Sequence, residues 1–297
     1  MPNIDKLNGV AAADISSVDN HNASAIASIN GQDLDTSSLL LDQYGANITA
    51  AYSLRKLRTA YTGSAIRIRR FSDNSEQDIG FDSNGDLDTA AITSFIGSSN
   101  AAVVTWYEQS GQASNWNLTN SLTTGQPRIA ASGFIYTLNS KPAIADTTGA
   151  HRMVFNTSFG QAPSAIGQPF HTFSVVSYIN TSDCVLFDGE AADCLISAYY
   201  GGVYRMGAGT NVTTGTNTPS TQLLIDGSFN GSSSYLFENN ASQGTSLNIG
   251  TNSINKIYLM GKSRRLGLTQ EFLIYGADVT TNRSNIADNI NTYYSIY

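Results

Sequence analysis

From Ala101 onward the chain is a succession of short apolar runs set between loops of Gly, Ser, Thr and Asn. AAVVTWY, RIAASGFIYTL, KPAIAD, HTFSVVSYI, CVLFD, DCLISAYY, GVYRMGA, TQLLIDG, SSYLFEN, SLNIG, NKIYLMG and TQEFLIYGA are rich in β-branched and aromatic residues and bounded by turn formers, so each reads as a strand. Strands this short bury their apolar sides only against one another. The expected fold is therefore all-β, a jelly-roll β-sandwich with a few short helices.

Three segments read as helices. NITAAYSLRKLRTAYTG carries Ala51, Leu54, Leu57 and Tyr61 at helical spacing and stops at Gly63. LDTAAITSFIG offers Asp88 as an N-cap, with Ile92, Phe95 and Ile96 on one face and Gly97 as the stop. The tail VTTNRSNIADNINTYYSIY aligns Ile286, Ile290 and Tyr293 or Tyr294 and predicts a helix that closes one face or end of the sandwich.

The first residues follow a different rule. Written in elevens they are IDKLNGVAAAD, ISSVDNHNASA and IASINGQDLDT, starting at Ile4, Ile15 and Ile26. Each unit has an aliphatic pair three residues apart (Ile4 and Leu7, Ile15 and Val18, Ile26 and Ile29), followed by NG, DN or NG. Repeats this short cannot bury an apolar side alone. Residues 1–37 therefore read as an anchoring or oligomerising arm, with a disordered leader as the plainer alternative, and residues 38–297 as the sandwich domain.

Composition removes several function classes. The 297 residues are 41% hydrophobic, enough for a core, but only 13% charged, with a net charge of -7 and a pI near 4.8. A phosphate-binding surface needs clustered Lys and Arg. The one basic cluster, RIRR, alternates Arg67 and Arg69 against Ile66 and Ile68, as a solvated strand face does. Nucleic acid is not an expected partner. No run of 18 apolar residues and no signal-peptide pattern occurs, so no membrane is expected either. The two cysteines, Cys184 and Cys194, flank a DGE turn in CVLFDGEAADC. A hairpin centred on Gly189 would set them opposite each other for a disulfide, whereas a reducing compartment leaves two buried thiols.

Motifs for chemistry are sparse. His21, His151 and His171 lack metal or triad spacing, and no phosphate loop, dinucleotide fingerprint or hydrolase elbow is present. FDSNGDLD supplies Asp82, Asn84, Asp86 and Asp88 at alternate positions, a weak calcium candidate whose glycine comes two places early for an EF-hand. Apart from that, no cofactor is expected. A glycosidase needs two carboxyl groups about 5–10 Å apart; Glu108, Asp188, Glu190, Asp193, Asp226, Glu238 and Glu271 are candidates that spacing alone does not separate.

The stretch from LLLDQYGANITAAYSLRKLRTAYTG through FDSNGDLDTAAITSFIG to VVTWYEQSGQASNW resembles the N-terminal part of the catalytic domain of α-L-arabinofuranosidase B, including that family's W-Y-D-Q-S-G segment. The same module, ending like EFLIYGADVTTNRSNIADNINTYY, also resembles a domain of tail-fibre and other virion proteins of tailed bacteriophages. The resemblance covers about residues 40 to 297 and implies a concanavalin A-like, LamG-like sandwich. In the enzymes a Glu nucleophile and an Asp acid do the chemistry. The matching segments here are SAYYGGVYRMG, with Tyr199 or Tyr200 at the Glu position, and LMGKSRRLG, with Lys262 at the Asp position.

That departure leads to a first expectation of a non-enzymatic bacteriophage fibre, spike or decoration subunit, located in the virion. It would dock on other virion proteins through residues 1–36, as a homotrimer by default, and hold host-surface glycan on Trp116, Tyr199, Tyr200 and Tyr204. The alternatives are a glycoside hydrolase acting on surface polysaccharide, with Glu190 or Asp188 and Glu271 among its carboxylates, and a capsid cement protein without ligand. TWYEQSG is read as framework: Trp106 or Tyr107 turns into the sandwich, and Glu108 holds the loop through the amides of Ser110 and Gly111.

Overall fold

The computed structural model describes residues 39–111, 116–155, 165–178, 184–189, 195–199, 201–217, 219, 221–254, 257–260 and 267–297, together with six residue pairs before Ser38. The chain divides into two compact units, Met1–Leu39 and Leu40–Tyr297.

In the first unit those six pairs form three hairpins: β1 (Lys6–Leu7) with β2 (Val10–Ala11), β3 (Ser17–Val18) with β4 (His21–Asn22), and β5 (Ser28–Ile29) with β6 (Gln32–Asp33). The register joins Leu7 to Val10, Val18 to His21 and Ile29 to Gln32. Each two-residue connection is therefore the NG, DN or NG of its repeat, the residue types that tight hairpins demand.

The second unit runs α1 (Leu40–Tyr44), β7 (Ile48–Ser53), β8 (Ile66–Arg70), β9 (Glu76–Ile79), α2 (Thr89–Ile96), β10 (Ala101–Trp106), β11 (Leu118–Thr119), β12 (Arg128–Ala131), β13 (Phe134–Ile135), β14 (Thr137–Leu138), β15 (Lys141–Pro142), β16 (Ile144–Ala145) and β17 (Met153–Phe155). It continues through β18 (Phe170–Ser177), β19 (Cys184–Asp188), β20 (Leu195–Tyr199), β21 (Val203–Gly207), β22 (Asn211–Thr214), β23 (Leu223–Phe229), β24 (Ser234–Glu238), β25 (Ala241–Leu247), β26 (Ile257–Leu259) and β27 (Leu268–Tyr275) to α3 (Arg283–Tyr294). The named strands pair antiparallel. One layer is β7-β27-β18-β23-β24-β25; the other is β9-β8-β10-β11-β17-β26-β19-β20-β21-β22, and β12 and β16 bridge them. This is the predicted sandwich.

Two apolar clusters hold it. Between the layers lie Tyr52, Ile68, Trp106, Leu118, Phe170, Phe187, Ile225, Leu236 and Phe272. On the outer side of the first layer, Phe173, Val175, Leu224, Leu273 and Tyr275 pack with Leu40, Leu41, Ile286, Ala287, Ile290 and Tyr294 from the two terminal helices. The closing helix is thus realised, with Ile286, Ile290 and Tyr294 inward. α2 is realised too: the Asp88 carboxylate accepts from the amide of Ala91 at 2.8 Å.

The helix predicted over Ala51, Leu54, Leu57 and Tyr61 does not form. Residues Ile48–Ser53 are β7, paired with β27 and covered on both sides, so nearly every position is buried. A strand without a solvent face loses its alternation, and its apolar run imitates a helix. In the cysteine hairpin, Cys184 faces Ala198 while Asp188 faces Leu195. The hairpin is therefore not centred so as to oppose Cys184 and Cys194, and Cys194 lies outside the described residues.

Candidate functional site

The first layer is covered on its outer side by helices; the second presents its outer face without one among the described residues. Side chains on that face are those whose neighbours point inward. Met153, Ile257, Leu259, Phe187, Ile196 and Met206 belong to the inner core, so Val154, Tyr258, Asp188, Leu195 and Gly207 lie on the other side. The pairing register sets them in one row across the strands: Thr119 beside Val154, Val154 beside Tyr258, Tyr258 beside Asp188, Asp188 beside Leu195, Leu195 beside Gly207. Thr119, Val154 and Tyr258 are half-buried, whereas Asp188 and Leu195 are each only 7% exposed. The row is open at one end and closed around a carboxylate at the other. One step along the strands a second row runs Val185, Ser197, Arg205, Thr213. Ser197 is fully buried there, and its hydroxyl has no hydrogen-bond partner among the described residues, a state that costs about 1–3 kcal/mol.

The other buried carboxylates serve the fold. Glu271 forms a two-point ion pair with Arg55, at 2.8 and 3.0 Å, beneath α3, and also accepts from the Ser53 hydroxyl. Asp226 joins His171 at 3.1 Å and Arg283 at 3.0 Å on the same helix-covered side. Glu238 accepts from the Tyr204 hydroxyl, which lies 3.2 Å from that of Tyr178. Glu108 Oε1 accepts from the amides of Ala51 and Ser110, and the Gly111 amide bonds the same carboxylate. Burial nonetheless pushes the Glu108 carboxyl up from its ordinary range, outweighing those hydrogen bonds. Asp146 accepts from the amides of Thr148 and Gly149 and stands 3.6 Å from His151, whose burial lowers its pKa. Glu271 is therefore corrected as a catalytic candidate: it lies on the face opposite to Asp188, spent on Arg55. Glu190 and Asp193 lie outside the described residues.

The aromatic candidates for glycan do not gather into one surface. Tyr204 is a correction: it is fully buried in the inner core, its hydroxyl spent on Glu238 and pushed far above the ordinary tyrosine range by burial. Trp116 is half-buried against that core, and its carbonyl accepts from the Tyr52 hydroxyl at 2.5 Å. Tyr199 ends β20, paired with Val203, and Tyr200 and Lys262 lie outside the described residues. Of the framework residues, Trp106 is the one that turns inward, against Tyr52 at 6.0 Å; Tyr107 instead donates to Asp78 at 2.7 Å. Within the weak calcium set, Asp82 accepts from the amides of Asn84 and Asp86, Asp86 pairs with Lys141 and accepts from the Tyr293 hydroxyl, and Asp88 caps α2. No group of three or more His, Cys, Asp or Glu able to hold a metal occurs among the described residues. Sequence reading does not single out Tyr258 or Ser197. The alternation in NKIYLMG sets Tyr258 apart from the core, but its neighbour is fixed only by the register.

Residues 40–150 match the family model for the catalytic domain of α-L-arabinofuranosidase B. No curated protein matches the chain. In fold it is similar to a GH54 α-L-arabinofuranosidase soaked with a cyclic sulfate inhibitor, at 14% identity and a TM-score of 0.60 over 84% of this chain. It is also similar to an arabinofuranosidase complexed with arabinofuranosyl-α-1,2-xylobiose, at 17% identity and a TM-score of 0.55 over the same share. The chain spans 64% of the length of each of these structures. At such identities the likeness establishes the architecture, a sandwich of the kind seen in carbohydrate-active enzymes. It corrects the expectation of a non-enzymatic bacteriophage fibre, spike, decoration or cement subunit: the matched sandwiches are glycosidases, and none of these structures is a virion protein. The virion partner engaged through residues 1–36, with its homotrimer, is corrected on the same ground.

Proposed function

We propose that residues 40–297 form a glycoside hydrolase domain whose active site lies on the outer face of the second layer, cleaving an arabinofuranoside-type linkage in a surface polysaccharide. The fold likeness to arabinofuranosidases, at a TM-score of 0.60, carries this reading. Asp188 is the first of the two carboxyls the reaction requires. It is held on a strand, shielded from water by its neighbours, and stands on the face that no helix covers among the described residues. Glu190, two residues further along the chain, is the second. One group protonates the leaving oxygen while the other attacks the sugar or activates water.

In this assignment the acids do not come from the segments where the resemblance looks for them, which carry Tyr199 or Tyr200 and Lys262. They come from β19 and the connection after it. β20, which ends at Tyr199, is the strand next to β19.

The test is hydrolysis of 4-nitrophenyl α-L-arabinofuranoside and of arabinan by the parent chain, Asp188→Asn and Glu190→Gln. Turnover by the parent that falls about a hundred- to ten-thousand-fold in each variant is expected. A silent parent sinks the hydrolase reading; a parent whose turnover survives both substitutions sinks this choice of carboxyls.

A further inference from the structure

Tyr258 has the place of a substrate-contacting residue. Its two neighbours in β26, Ile257 and Leu259, belong to the inner core, so Tyr258 points to the other side of the layer. It stands on the outer face, half-buried, directly beside Asp188 on one strand and Val154 on the other. Residues paired in this way have their Cβ atoms about 5 Å apart. A sugar whose reacting carbon lies against Asp188 therefore has its next ring over Tyr258.

The burial gradient sets the direction. Beyond Asp188 the row closes at Leu195 and Gly207, both buried; beyond Tyr258 it stays half-open through Val154 and Thr119. On the hydrolase reading the cleaved sugar lies toward Asp188, and the half-open side of the row directs the rest of the polysaccharide over Tyr258. Stacking suits that position, because the C–H face of a sugar ring is apolar and an aromatic face offers contact area at little conformational cost.

Resting on the hydrolase reading above, we infer that Tyr258 is the stacking residue for the sugar on the leaving-group side of the bond cleaved at Asp188. It is a positioning residue: it holds the second ring and takes no part in proton transfer.

The experiment compares Tyr258→Leu and Tyr258→Phe with the parent on two substrates, methyl α-L-arabinofuranoside, which has no second ring, and arabinotriose. Tyr258→Leu is expected to raise KM for arabinotriose about tenfold, equivalent to about 1.4 kcal/mol of stacking. It leaves kcat and the methyl glycoside unchanged, and Tyr258→Phe restores the parent value. A structural role for Tyr258 would move both substrates together or shift the melting temperature, and that overturns the inference. If the parent hydrolyses neither substrate, the hydrolase reading fails alone, and equilibrium binding of arabinotriose decides this inference. Loss in Tyr258→Leu with retention in Tyr258→Phe supports it; equal binding by all three chains, or none by the parent, overturns it.

Discussion

Glu108 shows how a carboxylate can look catalytic and be committed to the backbone. It accepts from the amides of Ala51, Ser110 and Gly111, which ties β7 to the loop after β10. In Glu108→Gln the new amide nitrogen must face one of these donors, a buried mismatch worth about 1–3 kcal/mol. The variant is expected to melt earlier, by calorimetry, with its turnover of arabinan unchanged. The deficit also depends on pH, and the sign follows from the carboxyl's raised pKa. Such a group favours the fold below its unfolded pKa, and that preference is lost as pH rises through the folded value. The parent's advantage over Glu108→Gln is therefore largest near pH 4 and narrows toward neutral pH. A deficit that widens with pH would show that the three amides, and not burial, dominate. Glu108 in its Gly-containing turn is legible from TWYEQSG because a carboxylate two residues before a loop amide meets it by local geometry alone. The amide of Ala51 is not, since it comes from 57 residues away.

At the scale of the element, α3 is an amphipathic helix laid on the first layer over a polar seam. Arg55 lies within 4.8 Å of the Tyr293 ring and forms its two-point pair with Glu271, while the last carbonyls of the helix accept from Asn139. Glu271 is 1% exposed. Glu271→Gln leaves a buried guanidinium without its counter-charge and is expected to cost about 3–5 kcal/mol, whereas the double change Arg55→Met with Glu271→Leu recovers most of the loss. Denaturant unfolding of the three chains checks this, and a double variant as unstable as the single one would count against a charge-pairing role. Legibility at this scale follows solvent exposure. α3 and α2 have a wet side, so their periods appear in the sequence. β7 has none, and its near-complete burial removes the period-two signal that would have named it. α1, five residues long, is too short for any period to register.

On the whole-molecule scale the sandwich is readable from its short runs and their turn residues, because strands buried along their whole length, such as β18 and β23, still stand out as β-branched and aromatic stretches bounded by turn formers. The candidate site is not. Asp188 could be picked out only as one of seven carboxylates, and what sets it apart is a row of pairings that joins β11, β17, β26, β19 and β20. No local pattern encodes a contact between residues 188 and 258. The same reasoning separates the arm from the sandwich. Each hairpin of the first unit pairs within its own eleven-residue repeat, and the described members of the sandwich's two clusters all lie from Leu40 onward. A chain beginning at Leu40 is therefore expected to unfold at the temperature of the full chain's sandwich transition, within about 2 °C, a shift equal to about 1 kcal/mol or less for a domain of this size. Its turnover of 4-nitrophenyl α-L-arabinofuranoside is expected to match as well. Calorimetry and a rate assay on the two chains check both. A lower transition would mean that residues before Leu40 contribute to the fold, and a lower rate at equal stability would mean that they contribute to the site.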